Sequence, residues 1–252
     1  MLFLVGIGLS YGDITLKAQE VCGHCELYVE RYTNTVDDSR IKFMEGLFGR
    51  SIKQLERSDM EENLKTLLGI AKDRDVAVLI IGDPLVATTH KILCIQAKQL
   101  GIGVGIVHAT SVASTAIGES GLDFYRFGKV CTIPRWREHY TPVSFYETIR
   151  LNTQSNEHSL VLLDYDPVTE SSLSLSEVAK ELKAAESEYK SGIVNDEMKV
   201  IVLNSLTQKQ EFKAIVRFAE LENLNINKGP TAIIIPVKLT GIEEEAVNSM
   251  YV

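Results

Sequence analysis

Short apolar runs alternate along this chain with longer stretches in which apolar residues recur every three or four positions. Runs of the first kind are typical of buried strands, and spacing of the second kind is typical of amphipathic helices. Strands are predicted at residues 2–7, 26–30, 76–81, 104–108, 130–133, 159–163, 199–203 and 231–236. Helices are predicted at residues 14–25, 41–47, 60–73, 85–100, 110–120, 142–153, 175–189 and 242–250. Elements in this alternating order predict an α/β fold.

The predicted strands differ between the two halves of the chain. The strand at residues 76–81 is apolar at every position (VAVLII), as expected when helices cover both faces of a parallel sheet. Residues 210–219 alternate apolar with other positions, which favours a strand, although a helix also fits. We therefore predict two α/β domains, with a mainly parallel sheet over residues 1–109 and a mixed sheet over residues 110–252.

The composition is that of a globular protein, since 45% of the 252 residues are hydrophobic and 24% are charged. The formal net charge of −8 disfavours a nucleic-acid partner and suits a small-molecule site or a basic protein partner. No apolar run is long enough to span a membrane, so no membrane partner is expected. Four cysteines in a chain without a basic leader favour a cytoplasmic protein.

A turn of the type that binds ligands follows the predicted strand at residues 76–81. Gly82 permits a sharp turn and the close approach of a ligand to the backbone, Asp83 can cap a helix, and Pro84 suits a first helical position. Gly101 is suited to end that helix. The carboxyl ends of strands face the ligand crevice in α/β sheets, so this turn is a candidate site. A crossover helix that is only well capped explains the same residues.

Two further strand ends carry candidate chemistry. Gly6 and Gly8 resemble part of a dinucleotide fingerprint, but the third spaced glycine is missing, which makes a nicotinamide site improbable. Ser111 could offer a hydroxyl and backbone amides at a helix start. His108 could serve as a base, but a histidine at a strand end is more often a hydrogen-bonded structural residue.

The segment Cys22-Gly23-His24-Cys25 has the form of a redox motif, but its place argues against that function. Redox cysteines of this type lie at a helix N-terminus, where the dipole lowers their pKa. Here the two thiols belong to the apolar face at the end of the helix predicted over residues 14–25. Cys94 and Cys131 stand alone, so no second cysteine pair completes a zinc site. We predict a packing role and no metal.

These segments together resemble the diphthine synthase family. The resemblance rests on residues 1–9 and 13–17, on 82–90 (GDPLVATTH), on 108–111, on 121–122 and on 125–129 (YRFGK), in order and spacing over nearly the whole chain. The wider tetrapyrrole-methylase-like superfamily usually shares only the first three residues of the segment at 82–90. Local sequence alone also allows residues 125–129 to be an ordinary loop, or to present basic and aromatic groups beside a cleft.

The resemblance implies a fold, a reaction and a set of cofactor contacts. It implies two α/β domains with S-adenosylmethionine in the cleft between them, no metal, and a homodimer. The implied reaction methylates the amino group on the modified histidine of translation elongation factor 2, in diphthamide synthesis. The implied cofactor contacts are Leu9, Asp83, Val86, Ser111, Val112, Leu163, Leu206 and Thr231. No catalytic base is expected: Asp83 would position the cofactor, and neither it nor His90 would move a proton.

The chain departs from the family pattern mainly at the contacts expected for the adenine. Residues 204–207 (NSLT) replace the usual Ala-Arg-Ala-Gly, Thr231 stands where a histidine is expected in archaeal relatives, and the turn between Leu9 and Asp13 is one residue shorter. Two other functions remain open: the same fold acting on a tetrapyrrole precursor or on ribosomal RNA, and a catalytically silent cofactor-binding protein. The net charge disfavours RNA, and residues 86–90 disfavour tetrapyrroles.

Overall fold

The protein folds as two units, Met1–Val112 and Ala113–Val252. A computed structural model describes residues 1–31, 36–56, 64–166 and 168–251. No helix within those ranges is both long and apolar enough to cross a membrane. The parallel first sheet and the mixed second sheet that the sequence predicts are both confirmed.

The first unit is an entirely parallel sheet with helices. Its strands are β1 (Leu2–Gly6), β2 (Glu26–Glu30), β3 (Ile52–Leu55), β4 (Val76–Ile80) and β5 (Val104–Val107). Its helices are α1 (Leu16–Cys22), α2 (Asp38–Phe48), α3 (Leu64–Asp73) and α4 (Lys91–Gln99). The strand order is β3-β2-β4-β1-β5, so β1 lies between β4 and β5.

Apolar side chains cover both faces of this sheet. Every residue of β4 is buried. Ala77 and Leu79 belong to one core, whereas Val78 and Ile80 belong to another. Because successive side chains of a strand point to opposite faces, these two cores lie on opposite sides of the sheet. The fully apolar pattern of the sequence is thereby explained.

The second unit is a mixed sheet. Its strands are β6 (Cys131–Ile133), β7 (Ser159–Leu163), β8 (Tyr165–Asp166), β9 (Ser171–Ser172), β10 (Lys199–Asn204), β11 (Phe212–Arg217) and β12 (Thr231–Ile235). Its helices are α5 (Val112–Gly118, which starts at the unit boundary), α6 (Phe145–Gln154), α7 (Leu175–Tyr189), α8 (Phe218–Leu221) and α9 (Gly241–Met250). The five-stranded sheet has the order β11-β10-β12-β7-β6, antiparallel except between β6 and β7. Strands β8 and β9 form a separate antiparallel pair.

Local sequence explains how the helices of the second unit begin and what they bury. Helix α7 starts with a capping box, in which the Ser174 hydroxyl accepts from the Glu177 N–H and the Glu177 carboxylate accepts from the Ser174 N–H. Helix α9 starts in the same way with Thr240 and Glu243. Leu182 of α7 packs in the apolar core on one face of the sheet. The same spacing of apolar residues that predicts these helices thus sets their buried faces.

The helix predicted over residues 85–100 begins six residues later than expected, at Lys91. The prediction that Asp83 caps this helix and that Pro84 is its first residue is therefore wrong. Ala87 has a φ of 54°, a left-handed conformation that a helix cannot contain. The Thr88 hydroxyl also donates to the Pro84 carbonyl, at 2.9 Å. Residues 84–90 consequently form turns.

Other differences from the predicted elements are local. The strand predicted over residues 210–219 is observed as β11, which ends at Arg217, and α8 begins at the next residue. The helix predicted over 14–25 starts at Leu16 after the Thr15 cap and ends at Cys22. Strand β3 was missed because two polar residues fill its centre, and β8 and β9 have only two residues each. Of the helix predicted over 60–73, the first four residues lie outside the described ranges.

Candidate ligand-binding site

Three loops of the first unit lie side by side at one edge of its sheet. They follow β1, β4 and β5, which are neighbours in the sheet and run in the same direction. Leu9 lies in the first loop, Asp83 in the second and Ser111 beyond the third. The carboxyl ends of parallel strands are where ligands bind in this class of fold. The structure thus brings the three sequence motifs of this unit to one edge of the sheet.

Glycines bring the first two of these loops together. Gly8 and Gly82 pair their backbones, with N···O distances of 3.3 and 3.0 Å, and both have left-handed φ angles of about 67–71°. Gly6 allows the closest approach: a Cβ there would lie 2.7 Å from the Gly82 carbonyl oxygen and 2.9 Å from the Ala109 Cβ. The glycines therefore serve the packing of backbone against backbone.

Asp83 connects the loop after β4 to the loop after β5. Its side chain is buried, and Oδ1 accepts from the Leu85 N–H at 2.9 Å. Oδ2 lies 2.8 Å from Nδ1 of His108 and 3.4 Å from the Ala109 nitrogen, which donates to it. The carboxylate thus closes a local turn and also orients His108, whose side chain is 69% exposed. The sequence analysis favours a hydrogen-bonded structural role for His108 but does not identify Asp83 as its partner.

Arg40 of α2 holds the loop that contains Leu9. Its buried Nη2 donates to the carbonyl oxygens of Ile7, Gly8 and Ser10 at 2.7, 3.1 and 3.0 Å, and its Nη1 donates to the Leu9 carbonyl at 3.3 Å. Burial lowers the pKa of Arg40, and the nearby Asp13 opposes this effect. Nothing in the sequence pattern marks Arg40, because a charged residue in an amphipathic helix is usually exposed.

Asp13 holds the same loop by accepting hydrogen bonds from its backbone N–H groups. Its Oδ2 accepts from the backbone nitrogens of Leu9 and Ser10, at 2.9 and 2.8 Å. The backbone of Leu9 is therefore bonded through both its N–H and its carbonyl oxygen. A loop backbone held in this way is preorganised.

The other first-unit residues implied by the resemblance follow the same loops. Val86 is partly exposed, and its N–H donates to the Asp83 carbonyl at 3.3 Å. Ser111 is buried, and Val112 is the first residue of α5. His90 is buried with its Nε2 3.9 Å from Glu30, and burial lowers its pKa, which favours a neutral ring.

The three second-unit residues implied by the resemblance lie at one edge of its sheet. Leu163 ends β7 and Thr231 begins β12, and these two strands are antiparallel neighbours in which Leu162 pairs with Ala232. Leu206 follows the end of β10, whose last residue, Asn204, pairs with Thr231. Leu163, Leu206 and Thr231 are all buried.

Two polar side chains that the sequence did not single out as contacts are buried at this edge. Asn204 donates through Nδ2 to the Thr231 hydroxyl at 3.0 Å and to the Asn227 carbonyl at 3.2 Å. Its Oδ1 and the Oγ of Ser205 are both buried and have no hydrogen-bond partner among the described residues. Ser205 and Thr207 have left-handed φ angles of 50° and 66°, a costly conformation for residues other than glycine. Unpartnered buried acceptors and backbone strain are features of binding sites.

The cysteine motif has the environment expected for a packing role. Cys22 is the last residue of α1, and both it and Cys25 are fully buried free thiols. Burial raises the pKa of Cys22 to about 12 and that of Cys25 to about 11, so neither is a ready thiolate. Within the described ranges, no group of three or more His, Cys, Asp or Glu side chains is placed to hold a metal ion.

The segment at residues 125–129 is anchored at its two basic residues and exposed at Tyr125. Tyr125 is 89% exposed. Arg126 forms an ion pair with Glu243, which is buried on α9. The backbone of Lys129 is bonded at both its N–H and its carbonyl by the Asn152 side chain, at 3.1 and 2.9 Å. Most of this segment is therefore structural.

Comparison with known proteins identifies similar chains. Residues 1–222 match the sequence profile of the tetrapyrrole (corrin/porphyrin) methylases. The diphthine synthase of Methanocaldococcus jannaschii is 36% identical over 252 residues, which cover 98% of each chain. The human diphthine methyl ester synthase is 37% identical over 65% of this chain and 58% of its own. A crystal structure of a diphthine synthase has a TM-score of 0.86 and 29% identity, covering 99% of this chain and 95% of that one.

Proposed function

This chain belongs to the diphthine synthase family, within the tetrapyrrole (corrin/porphyrin) methylases, and we propose that it is a methyltransferase of diphthamide biosynthesis that uses S-adenosylmethionine. The acceptor is the amino group on the modified histidine of translation elongation factor 2. The observation that carries this proposal is the match with the Methanocaldococcus jannaschii diphthine synthase along almost the whole of both chains.

The residues at the two sheet edges fit the proposed cofactor. We assign its contacts to Leu9, Asp83, Val86, Ser111 and Val112 in the first unit and to Leu163, Leu206 and Thr231 in the second. S-adenosylmethionine carries a cationic sulfonium and ammonium, an apolar methylene chain and an adenine. The buried Asp83 carboxylate suits a cationic ligand, the partly exposed Val86 offers apolar surface, and Asn204 offers a free acceptor.

The chain contributes orientation and burial to the reaction. When bound, S-adenosylmethionine supplies an electrophilic methyl group on its sulfonium, and an amine can attack it without help from a metal. The loop around Leu9 is fixed by Arg40 and Asp13, and such preorganisation can supply much of the rate of a bimolecular transfer. Asp83 already accepts from two backbone N–H groups and contacts His108, so its role is positioning and not proton transfer. Burial of the acceptor amine lowers its pKa and favours the neutral form that can attack.

From the same family resemblance we also propose an oligomeric state and a compartment: the protein is a homodimer in the cytoplasm. Four free cysteines, three of them with strongly raised pKa values, suit a reducing compartment. The net charge of −8 suits electrostatic steering of a protein substrate with basic surface. Association with elongation factor 2 should then slow as salt is raised.

A transfer assay tests the proposed reaction. The protein is incubated with methyl-labelled S-adenosylmethionine and elongation factor 2 that carries the methyl-accepting intermediate. We expect label on the factor, retained after mild base because N-methyl bonds are stable there. Binding of the cofactor without any transfer would instead support a catalytically silent protein, and transfer to a tetrapyrrole or to RNA would contradict the proposed acceptor.

Methylation of a carboxylate is a second candidate reaction, favoured by the name of the human relative, a diphthine methyl ester synthase. An ester and an N-methyl group differ in chemical stability. Label that mild base releases from elongation factor 2 indicates an ester, and mass spectrometry of the modified histidine counts the methyl groups on each atom. The same assay therefore decides between the two acceptors.

Replacement of Asp83 tests the proposed cofactor contacts. Asp83→Ala removes the acceptor that joins two loops and faces the proposed ligand, so the affinity for S-adenosylhomocysteine should fall by roughly ten- to a hundredfold in calorimetry. The affinity should fall less in Asp83→Asn, whose side-chain oxygen can still accept from the Leu85 N–H. Asp73→Ala, at an exposed helix end, is the matched control. Unchanged affinity in a folded Asp83→Ala protein would refute the assigned role.

A further inference from the structure

The carboxamide of Asn204 is fixed in one orientation. The Thr231 hydroxyl has a single hydrogen, which it donates to the Gly229 carbonyl at 3.2 Å, so it can only accept from Asn204. The Asn227 carbonyl can also only accept. Both hydrogens of Nδ2 are therefore used within the protein, and the carboxamide cannot flip without placing oxygen against oxygen. Oδ1 is left as a buried acceptor whose bonding capacity is unused.

Ser205 places a second acceptor beside the same glycine. Its Oγ lies 2.1 Å from the position that a Cβ on Gly229 would take, and Nδ2 of Asn204 lies 3.7 Å from that position. The Ser205 N–H is used, since it donates to the Pro230 carbonyl at 2.8 Å, but Oγ has no partner among the described residues. Asn204 Oδ1 and Ser205 Oγ are thus two unused, fully buried polar atoms on consecutive residues, and Ser205 Oγ lies beside Gly229. Leaving a buried group without its hydrogen bond is unfavourable, so a ligand that supplies donors here gains affinity.

The surroundings show which kind of donor fits. Leu203 and Leu206, next to these two residues in sequence, are both buried. Asn204 and Ser205 are uncharged, and a buried ammonium group against neutral acceptors would be strongly disfavoured. A neutral amine on a flat aromatic ring suits such a place, and it carries two hydrogens for two acceptors. Among the groups of S-adenosylmethionine, only the 6-amino group of adenine has these properties.

We propose that Asn204 Oδ1 and Ser205 Oγ accept hydrogen bonds from the 6-amino group of the cofactor's adenine, and that they make this chain select adenine over 6-oxo purines. The proposal rests on S-adenosylmethionine being the cofactor. It adds side-chain recognition to the contacts that family resemblance assigns to Leu206 and Thr231. The resemblance itself does not imply it, because the family's usual residues at positions 204 and 205 are alanine and arginine.

Ligand analogues test the proposal on the unaltered protein. Calorimetry compares S-adenosylhomocysteine with S-inosylhomocysteine, in which a carbonyl oxygen replaces the 6-amino group. We expect the inosine compound to bind at least about tenfold more weakly, since its carbonyl oxygen meets Asn204 Oδ1, which has no hydrogen to donate, and only the Ser205 hydroxyl can turn to donate to it. Removal of the 2′-hydroxyl from S-adenosylhomocysteine should have a smaller effect. Equal affinity for the adenine and inosine compounds, or a larger loss on removal of the ribose hydroxyl, would overturn the proposal.

A pair of glycine substitutions locates the effect. Ser205→Gly and Thr207→Gly both relieve a left-handed backbone, but only the first removes a buried hydroxyl. We expect Ser205→Gly to reduce the preference for adenine by about threefold or more and Thr207→Gly to leave it unchanged. An unchanged preference in Ser205→Gly contradicts the role of Ser205.

The result is separable from the proposed function. If S-adenosylhomocysteine binds and methyl transfer to elongation factor 2 occurs, but adenine and inosine are not distinguished, only the recognition by Asn204 and Ser205 is wrong. If S-adenosylhomocysteine does not bind at all, the cofactor assignment and this proposal are both wrong.

Discussion

The two units differ in how they use the buried acceptors at their sheet edges. In the first unit, Arg40 bonds the carbonyl oxygens that follow β1, and backbone N–H groups bond the Asp83 carboxylate. In the second unit, Asn204 Oδ1 and Ser205 Oγ at the sheet edge, and Glu181 Oε2 on helix α7, have no partner among the described residues. At the first edge these acceptors are hydrogen-bonded within the protein, whereas the second edge retains acceptors that another group can use. We call the hydrogen-bonded loops after β1 and β4, together with Arg40, the first-unit frame.

The largest predicted effect comes from filling the close backbone contact between Gly6 and Gly82 in the first-unit frame. In Gly6→Ala, the new Cβ would meet the backbone oxygen of Gly82 at 2.7 Å, where no flexible side chain can yield. We expect the free energy of unfolding to fall by about 2–4 kcal/mol, measured by urea denaturation. Gly69→Ala is the control, because open space surrounds Gly69 on α3, and it should stabilise by about 0.5–1 kcal/mol. Equal stability of the two variants would show that the strand ends are loosely packed.

Removal of the buried Arg40 guanidinium tests whether the first-unit frame depends on the hydrogen bonds that Arg40 donates. Arg40→Met keeps a similar length but leaves the carbonyl oxygens of Ile7, Gly8 and Ser10 without this donor, so we expect a loss of about 2–3 kcal/mol. Affinity for S-adenosylhomocysteine should fall as well, because the Leu9 loop is no longer fixed. Arg74→Met, which removes a mostly exposed ion pair with Glu26, should cost less than about 1 kcal/mol. If both variants lose the same stability, Arg40 does not support the frame.

The comparison also shows what the sequence could and could not predict. Strand β4 and the packing of Cys22 depend on local apolar spacing, which a single chain reveals. Arg40 contacts Ile7 across 33 residues, and Asp83 contacts His108 across 25. Such contacts join side chains whose partner the local pattern does not specify. The helix start before Lys91 was missed for a related reason, since turn-forming residues after Asp83 also suit a capped helix.

At the second-unit edge, the sequence pointed to the position but not to the chemistry. Residues 204–207 stand out because they depart from the family pattern, which identifies a place where this chain is unusual. Sequence alone cannot show that the donors of Asn204 are used while its acceptor is not, because this depends on Thr231 and Asn227. Whether a buried acceptor is already hydrogen-bonded depends on residues that are distant in sequence and close in space.

The smallest predicted effect concerns Glu181, the third buried acceptor of the second unit. Burial, together with the charge of Glu177, raises the pKa of Glu181 to about 7, although the Trp136 N–H and Arg135 oppose the shift. The folded protein therefore binds this proton more tightly than the unfolded chain does. Stability from this group is complete below the ordinary pKa of a glutamate, about 4.5, and is lost as the pH rises through about 7.

The glutamine of Glu181→Gln cannot ionise. At pH 8 we therefore expect its free energy of unfolding to exceed that of the parent by about 1 kcal/mol, after allowance for solvent screening. Near pH 5 the two proteins should be equally stable. Thermal unfolding at the two pH values measures this difference. Glu177→Gln is the control on the same helix: burial alone would raise the pKa of Glu177, but the Ser174 hydroxyl and N–H lower it below its usual range. That variant loses part of a capping box and should be less stable at both pH values. If Glu181→Gln also loses stability at pH 8, Oε2 of Glu181 has a partner in solution, and among the described residues of the second unit Asn204 and Ser205 alone hold unused acceptors.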